Sequence, residues 1–211
     1  GGWTLQQIQR SMYNGLPARI HAHAPLFADS LTTDDGLWPI QSASSDNAAY
    51  GFADGAYRIS GGGGWATVNR TFGDVAVEVT VRQRWTDPNV HMSDLGQIGL
   101  TLRATGNLKS AVTFTIGPLG DWALLRFRDW GTDAGQWQVL AAGLHNSAVH
   151  WGFQNNRLLV LMRSGEYVCF VNDHLVAIAH DDALPAGKVG FWLDDKTTDG
   201  YFSNFAVYPA V

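Results

Sequence analysis

Apolar positions recur along this chain at two different spacings. In residues 3–14, Trp3, Leu5, Ile8 and Met12 fall on one helical face, and Gly15 with Pro17 supplies a stop, so the pattern predicts one short amphipathic helix. Short helices seldom stand alone, so this one is expected to pack on the edge of its own domain. Docking of protein subunits through the same apolar face is the alternative. Residues 16–25 read as a linker. His21 and His23 within it would ligate a metal only with further ligands, and the nearby sequence supplies none.

From Leu26 onward the period shortens to two. Short alternating or β-rich runs separated by Gly, Asp, Asn and Pro predict strands over 56–60, 65–70, 75–85, 97–104, 110–116, 122–128, 136–142, 157–163, 166–171, 174–180, 187–193 and 201–208. Asn172-Asp173 and Ser164-Gly165 read as hairpin turns, and 184–187 as a turn into the next strand. No long helical pattern interrupts them, so the chain reads as all-β, a two-sheet antiparallel sandwich over 26–211 preceded by a helix and linker over 1–25.

Alternation also assigns faces. Val75, Val77, Val79 and Val81 share one side of their strand, opposite Glu78, Thr80, Arg82 and Arg84. Ile98, Leu100 and Leu102 oppose Gln97, Thr101 and Arg103. Ala123, Leu125 and Phe127 oppose Trp122, Arg126, Arg128 and Trp130. On this reading one face is core and the second is rich in arginine and threonine.

Composition narrows the class. With 45% apolar residues, nine Trp and ten Phe, the chain can fill a large core and is too apolar for disorder. Charged residues make up 16% and the net charge is −5, which gives neither a nucleic-acid footprint nor a basic membrane patch. No apolar run approaches the ~20 residues that cross a bilayer, so membrane insertion is not expected. The opening Gly1-Gly2, without a Met and a basic, apolar leader, reads as the start of a processed or trimmed piece. The single Cys169 lies in an apolar strand pattern, where a buried inert thiol is the expectation. Three Lys and two Glu among many Trp, Thr, Asn and Gly suit a secreted or cell-surface module.

Several fragments resemble the concanavalin-A-like lectin/glucanase superfamily, especially bacterial modules of the laminin-G-like and 3-keto-disaccharide-hydrolase-like kind. These are 27–31 followed by Trp38, 54–60, 72–79, 99–104, 157–160, 170–173, 187–191 and 202–205, together covering about residues 26 to 208. The resemblance implies a jelly roll; it does not imply one activity, because this fold hosts lectins, carbohydrate-binding modules, glycosidases, lyases and structural domains.

Glycoside hydrolysis needs two carboxyl groups flanking the scissile bond. The glucanases resembled here supply them from one strand as Glu-x-Asp-x-Glu, but this chain has only Glu78 and Glu166, and the positions two and four residues after Glu78 are Thr80 and Arg82. The lyases resembled use Arg, Gln, His and Tyr around an acidic sugar; no Gln-x-His motif accompanies the arginines here, and no Gly-x-Ser-x-Gly is present. No catalytic residue is assigned.

What remains is a non-catalytic carbohydrate-binding module, with a structural or self-assembly module and a hydrolase or lyase as alternatives. Aromatic rings take sugars against their C–H faces and planar polar groups fix their hydroxyls. The expected ligand-binding residues are Arg82, Arg84, Trp85, Gln97, Arg103, Trp122, Arg126, Arg128 and Trp130, with Trp137 and Trp151 also placed at strand ends or loops. Glycan is the expected partner. The resemblance also implies a structural calcium ion, for which Asp29 and Asn204 are the candidate ligands and Asp194 and Asp195 offer further oxygens. Gly61–Gly64 reads as a flexible turn.

Overall fold

The computed structural model describes residues 1–194 and 197–211. Its strands are β1 (Phe27–Asp29), β2 (Ala49–Ala53), β3 (Ala56–Ser60), β4 (Gly64–Thr67), β5 (Val75–Trp85), β6 (Ile98–Ala104), β7 (Ala111–Ile116), β8 (Trp122–Arg128), β9 (Gln136–Gly143), β10 (Asn156–Arg163), β11 (Glu166–Val171), β12 (His174–His180), β13 (Lys188–Leu193) and β14 (Thr198–Pro209). One sheet has eight strands in the order β12-β11-β10-β5-β14-β3-β2, with β1 added beside β14; the other has six, in the order β4-β13-β6-β7-β8-β9. Strands β1 and β2 escape the alternation pattern because the first is three residues long and the second is interrupted by Gly51.

The hairpins form where turn chemistry places them. Asn172 and Asp173 have φ of 49° and 65°, and Ser164 and Gly165 have 48° and 78°. Two successive positive φ values match the right-handed twist of the flanking strands. Asp54-Gly55, between β2 and β3, repeats the device with 54° and 70°.

Between the sheets lies an aromatic and β-branched core. Val75, Val77, Val79 and Val81 of β5 meet Ile98, Leu100 and Leu102 of β6, as alternation requires. At one end, Phe191 stacks 4.4 Å from Trp38 and 4.5 Å from Phe202, with Tyr57 and Phe205 at 5.4 Å. Cys169 is fully buried here, and burial raises its thiol pKa well above the ordinary value. In the six-stranded sheet the backbones approach closely at Gly190, where an added Cβ would fall 1.9 Å from the Ala66 carbonyl oxygen. Only glycine fits there.

The N-terminal segment corrects two expectations. Residues 16–25 are not simply a linker, because α1 (Leu5–Tyr13) is followed at once by α2 (Leu16–His21). Pro17 lies in the first turn of α2, where its missing N–H is no loss, so it starts a helix as well as ending one. The apolar stripe of α1 does not pack on the domain: Trp3, Leu5 and Met12 are 66%, 74% and 67% exposed. Thr4 and Gln7 close its first turn as a reciprocal capping pair. The docking is done by α2 instead. Leu16 and Ile20 bury against Ala76, Leu159, Leu161, Val168 and Phe170 on the outer face of the eight-stranded sheet, which is apolar at this end. Among the described residues no helix is long and apolar enough to cross a membrane.

A polar clamp completes this contact. His21 Nε2 lies 2.6 Å from Glu78 Oε2, and Arg157 approaches the same carboxylate at 3.6 Å while also pairing with Asp173. Burial raises the Glu78 pKa above its ordinary 4.5, outweighing the lowering by His21 and Arg157. A carboxyl whose folded pKa is raised contributes stability that is full below its unfolded pKa and is lost as pH rises through the folded one. Glu78→Gln, which cannot ionise, should therefore gain in melting temperature relative to the wild-type chain as pH is raised from about 4 to 7. Parallel thermal melts read this; a difference that shrinks or reverses would mean that the ion pair, not burial, controls the group.

Candidate functional site

The outer face of the six-stranded sheet carries the larger concentration of accessible aromatic surface. With Val189, Phe191 and Leu193 of β13 turned into the core, alternation turns Trp192 outward. It lies nearly parallel to Trp65 of β4, at 14° with centroids 5.9 Å apart. Phe127 of β8 packs 5.7 Å from Trp192 and 5.0 Å from Trp137 of β9, and Trp130 closes on Trp137 edge-to-face at 4.8 Å. These rings, with Leu108, Gly63, Gly64 and Asp194, line a cavity of about 470 Å³. Trp130 and Trp137 remain 50% and 48% exposed, well short of core values.

Gly63 and Gly64 form part of this wall as a close approach rather than a flexible turn. A Cβ on Gly63 would meet the Asp194 carbonyl at 2.5 Å, and one on Gly64 the Tyr50 hydroxyl at 2.0 Å.

The rim of the cavity is polar. Trp192 Nε1 donates to Asp194 Oδ1 at 2.6 Å, and the Gln97 backbone N–H donates to Oδ2 of the same carboxylate at 3.0 Å. The Gln97 side chain donates to Asp121 Oδ2 and accepts from the Thr115 hydroxyl, both at 2.6 Å. A hydrogen-bonded relay of Gln97, Asp121 and Thr115 thus runs on from Asp194 of the cavity wall. Apolar walls with a few oriented polar groups are the usual make-up of a small-molecule site.

The nine residues expected to form one binding face do not do so. Arg82 and Arg84 lie on the outer face of the eight-stranded sheet, across the sandwich from the aromatic cavity. Trp85 is on the inward side of β5, 4.4 Å from Phe153. Arg103 is not outward: it has φ of 52° beside a register shift between β6 and β13, so it turns inward and is only 3% exposed. There it bonds the Pro185 carbonyl and, at 3.0 Å, Asp74. A bond from the Ser164 backbone N–H and, after it, the Arg103 contact lower the Asp74 carboxyl pKa from its ordinary value.

In β8 the two faces are the reverse of the alternation reading. Leu124 is core and Trp122 packs against it, while Phe127 faces out into the aromatic cavity. Both sides of this strand are apolar, so periodicity fixes the alternation but not which side is inside. Arg126 accordingly points between the sheets, to Asp181 and Gln138. Arg128 is exposed at the strand end. Of the nine, Trp130 lines the cavity, and Gln97 bonds through its backbone to Asp194 of the cavity wall. Trp151 lies apart, near His145.

Trp65, Phe127 and Trp192 were not anticipated. For Trp192 the signal was present, in its alternation with Val189, Phe191 and Leu193. For Phe127 the signal pointed the wrong way.

The calcium expectation meets a poor donor set. Asp29 Oδ1 accepts from the Leu31 N–H and Oδ2 from the Trp38 indole, both at 2.9 Å, so its oxygens are directed at protein donors. Asn204 stands nearby at a bulge in β14, and among the described residues no group of three His, Cys, Asp or Glu side chains converges. Asp194 is engaged at the cavity rim, and Asp195 lies outside the described residues. These residues do not fit the ion. Glu78, the lead carboxylate for a hydrolase, lies under α2 rather than in the cavity.

Neither known family models nor curated proteins match this sequence. Solved structures do match its fold. A carbohydrate-binding module, CBM66 from Bacillus subtilis, superposes with a TM-score of 0.64 at 14% identity, covering 83% of this chain and 99% of that one. A Bacteroides ovatus GH16 protein in complex with a glucan product gives 0.61 at 6% identity, over 86% and 99%. LamAcat from Zobellia galactanivorans gives 0.56 at 12%, over 90% and 99%. The chain thus shares the two-sheet jelly-roll fold of these proteins.

Proposed function

We propose that this domain is a non-catalytic carbohydrate-binding module of a secreted or cell-surface protein, and that it takes glycan in the cavity of Trp65, Phe127, Trp130, Trp137 and Trp192. The half-exposed tryptophans carry this reading: large rings left in water on a sheet face are costly unless something covers them. Sugar C–H faces stack on such rings, and the Asp194 carboxylate in the cavity wall offers an acceptor for hydroxyls. The carbohydrate-binding and glycan-cleaving proteins that share the fold support a carbohydrate ligand.

A glycan-array screen of the whole domain, with calcium and with chelator, tests it. Trp137→Ala and Trp130→Ala should each weaken the best glycan about tenfold or more, the loss usual for a truncated aromatic anchor. Chelation should change nothing. No binding to any glycan, or binding indifferent to both substitutions, would sink the proposal. The exposed Trp3, Leu5 and Met12 of α1 favour a second reading, a protein-contacting module, and a mass that rises with concentration would support it.

A further inference from the structure

A second, smaller pocket lies on the opposite sheet. Four residues beyond Glu78, Arg82 emerges from β5 on the outer face that α2 covers only at its other end. With Tyr201 and Ser203 of β14, Asn155, and Asp54, Gly55 and Ala56 of the β2–β3 turn, it lines a cavity of about 220 Å³. The guanidinium lies 4.5 Å from the centre of the Tyr201 ring. Tyr201 is 3% exposed, and its hydroxyl is buried without a hydrogen-bond partner.

This pocket differs from the other charged clusters. Arg103, Arg126, Arg157 and Arg163 each pair with a carboxylate, and turn aspartates such as Asp29, Asp34 and Asp87 each accept from a backbone N–H. Among the described residues, Arg82 has no carboxylate within 4.0 Å, and the side chains of Asp54, Asn155 and Ser203 carry no hydrogen bond. A cation, a carboxylate, an amide and the Ser203 hydroxyl thus converge on one cavity with their capacity unspent, beside the buried Tyr201 hydroxyl. A buried polar group without a partner is uncommon in a folded protein and calls for an explanation.

We propose that this pocket binds a uronate, the carboxylate-bearing unit of an acidic sugar. A guanidinium lying against a ring leaves its N–H fork free at the edge, the geometry that grips a carboxylate with two parallel hydrogen bonds. Ser203 and Asn155 supply further donors. Asp54 disfavours a simple inorganic anion and accepts from hydroxyls, so the occupant carries both kinds of group.

Calorimetric titration of the whole chain with glucuronate, glucose and inorganic sulfate tests this. Glucuronate should bind at least about tenfold more tightly than either of the others. Arg82→Ala should abolish that preference, Arg82→Lys should weaken it by losing the fork, and Trp137→Ala should leave it intact. Asp54→Asn, which suits the positive φ of that turn, should weaken glucuronate but not melt the domain. The proposal falls if glucose or sulfate binds as well as glucuronate, if none of the three binds, or if Arg82→Ala with an unchanged melting curve binds glucuronate as before. Because Trp137 is on the other sheet, failure here and failure of the aromatic cavity are read separately.

Discussion

Phe191→Ala should lower the unfolding free energy by about 3–5 kcal/mol, the range for emptying a fully buried aromatic site. Phe191 of the six-stranded sheet is 0% exposed and touches rings from the opposite, eight-stranded sheet, Tyr57, Phe202 and Phe205, and Trp38 from the β1–β2 connection. Large rigid rings on every side cannot collapse into the space, so both the lost transfer energy and the cavity are felt. Urea unfolding followed by tryptophan fluorescence measures the change. A cost below about 1.5 kcal/mol, as for a volume-conserving swap, would mean that the rings are not packed as described.

Arg126→Ala should cost a comparable amount, about 3–5 kcal/mol, for a different reason. The pair of Arg126 and Asp181 joins β8 of one sheet to the residue following β12 of the other, with side chains only 13% and 9% exposed. Removing the arginine strands a buried carboxylate, whereas replacing both partners with apolar groups of similar size removes the charge altogether. Arg126→Met with Asp181→Leu should therefore be clearly less destabilised than Arg126→Ala alone, in the same urea measurement. Equal losses would show that packing, not the abandoned charge, sets the cost. Were Arg126 instead a solvent-face ligand residue, its removal would barely change stability.

Strand positions and hairpins were largely legible in the sequence. Period-two alternation over Val75–Val81 and Ile98–Leu102 fixed both the strand and its inward side, since the opposite sides carry Glu78 and Thr80 and Gly99 and Thr101. Asn172-Asp173 and Ser164-Gly165 fixed turns because those residues tolerate positive φ. The same local logic was blind to α2, where Pro17 read as a stop.

The binding face was legible only in part. Alternation exposes Trp192 but cannot choose a side for β8, where both sides are apolar, and it cannot foresee the backbone inversion that turns Arg103 inward. Nor does any local pattern record that Arg126 meets Asp181 or that Gln97 meets Asp121, because those partners are 55 and 24 residues apart in sequence. By itself, then, the sequence determined the fold class, most strands and the absence of the paired-carboxylate strand motif, all of which rest on short-range spacing. The tertiary structure decided which arginines are clamps and which tryptophans share a cavity, because a side chain's role follows from what the opposite strand or sheet places beside it.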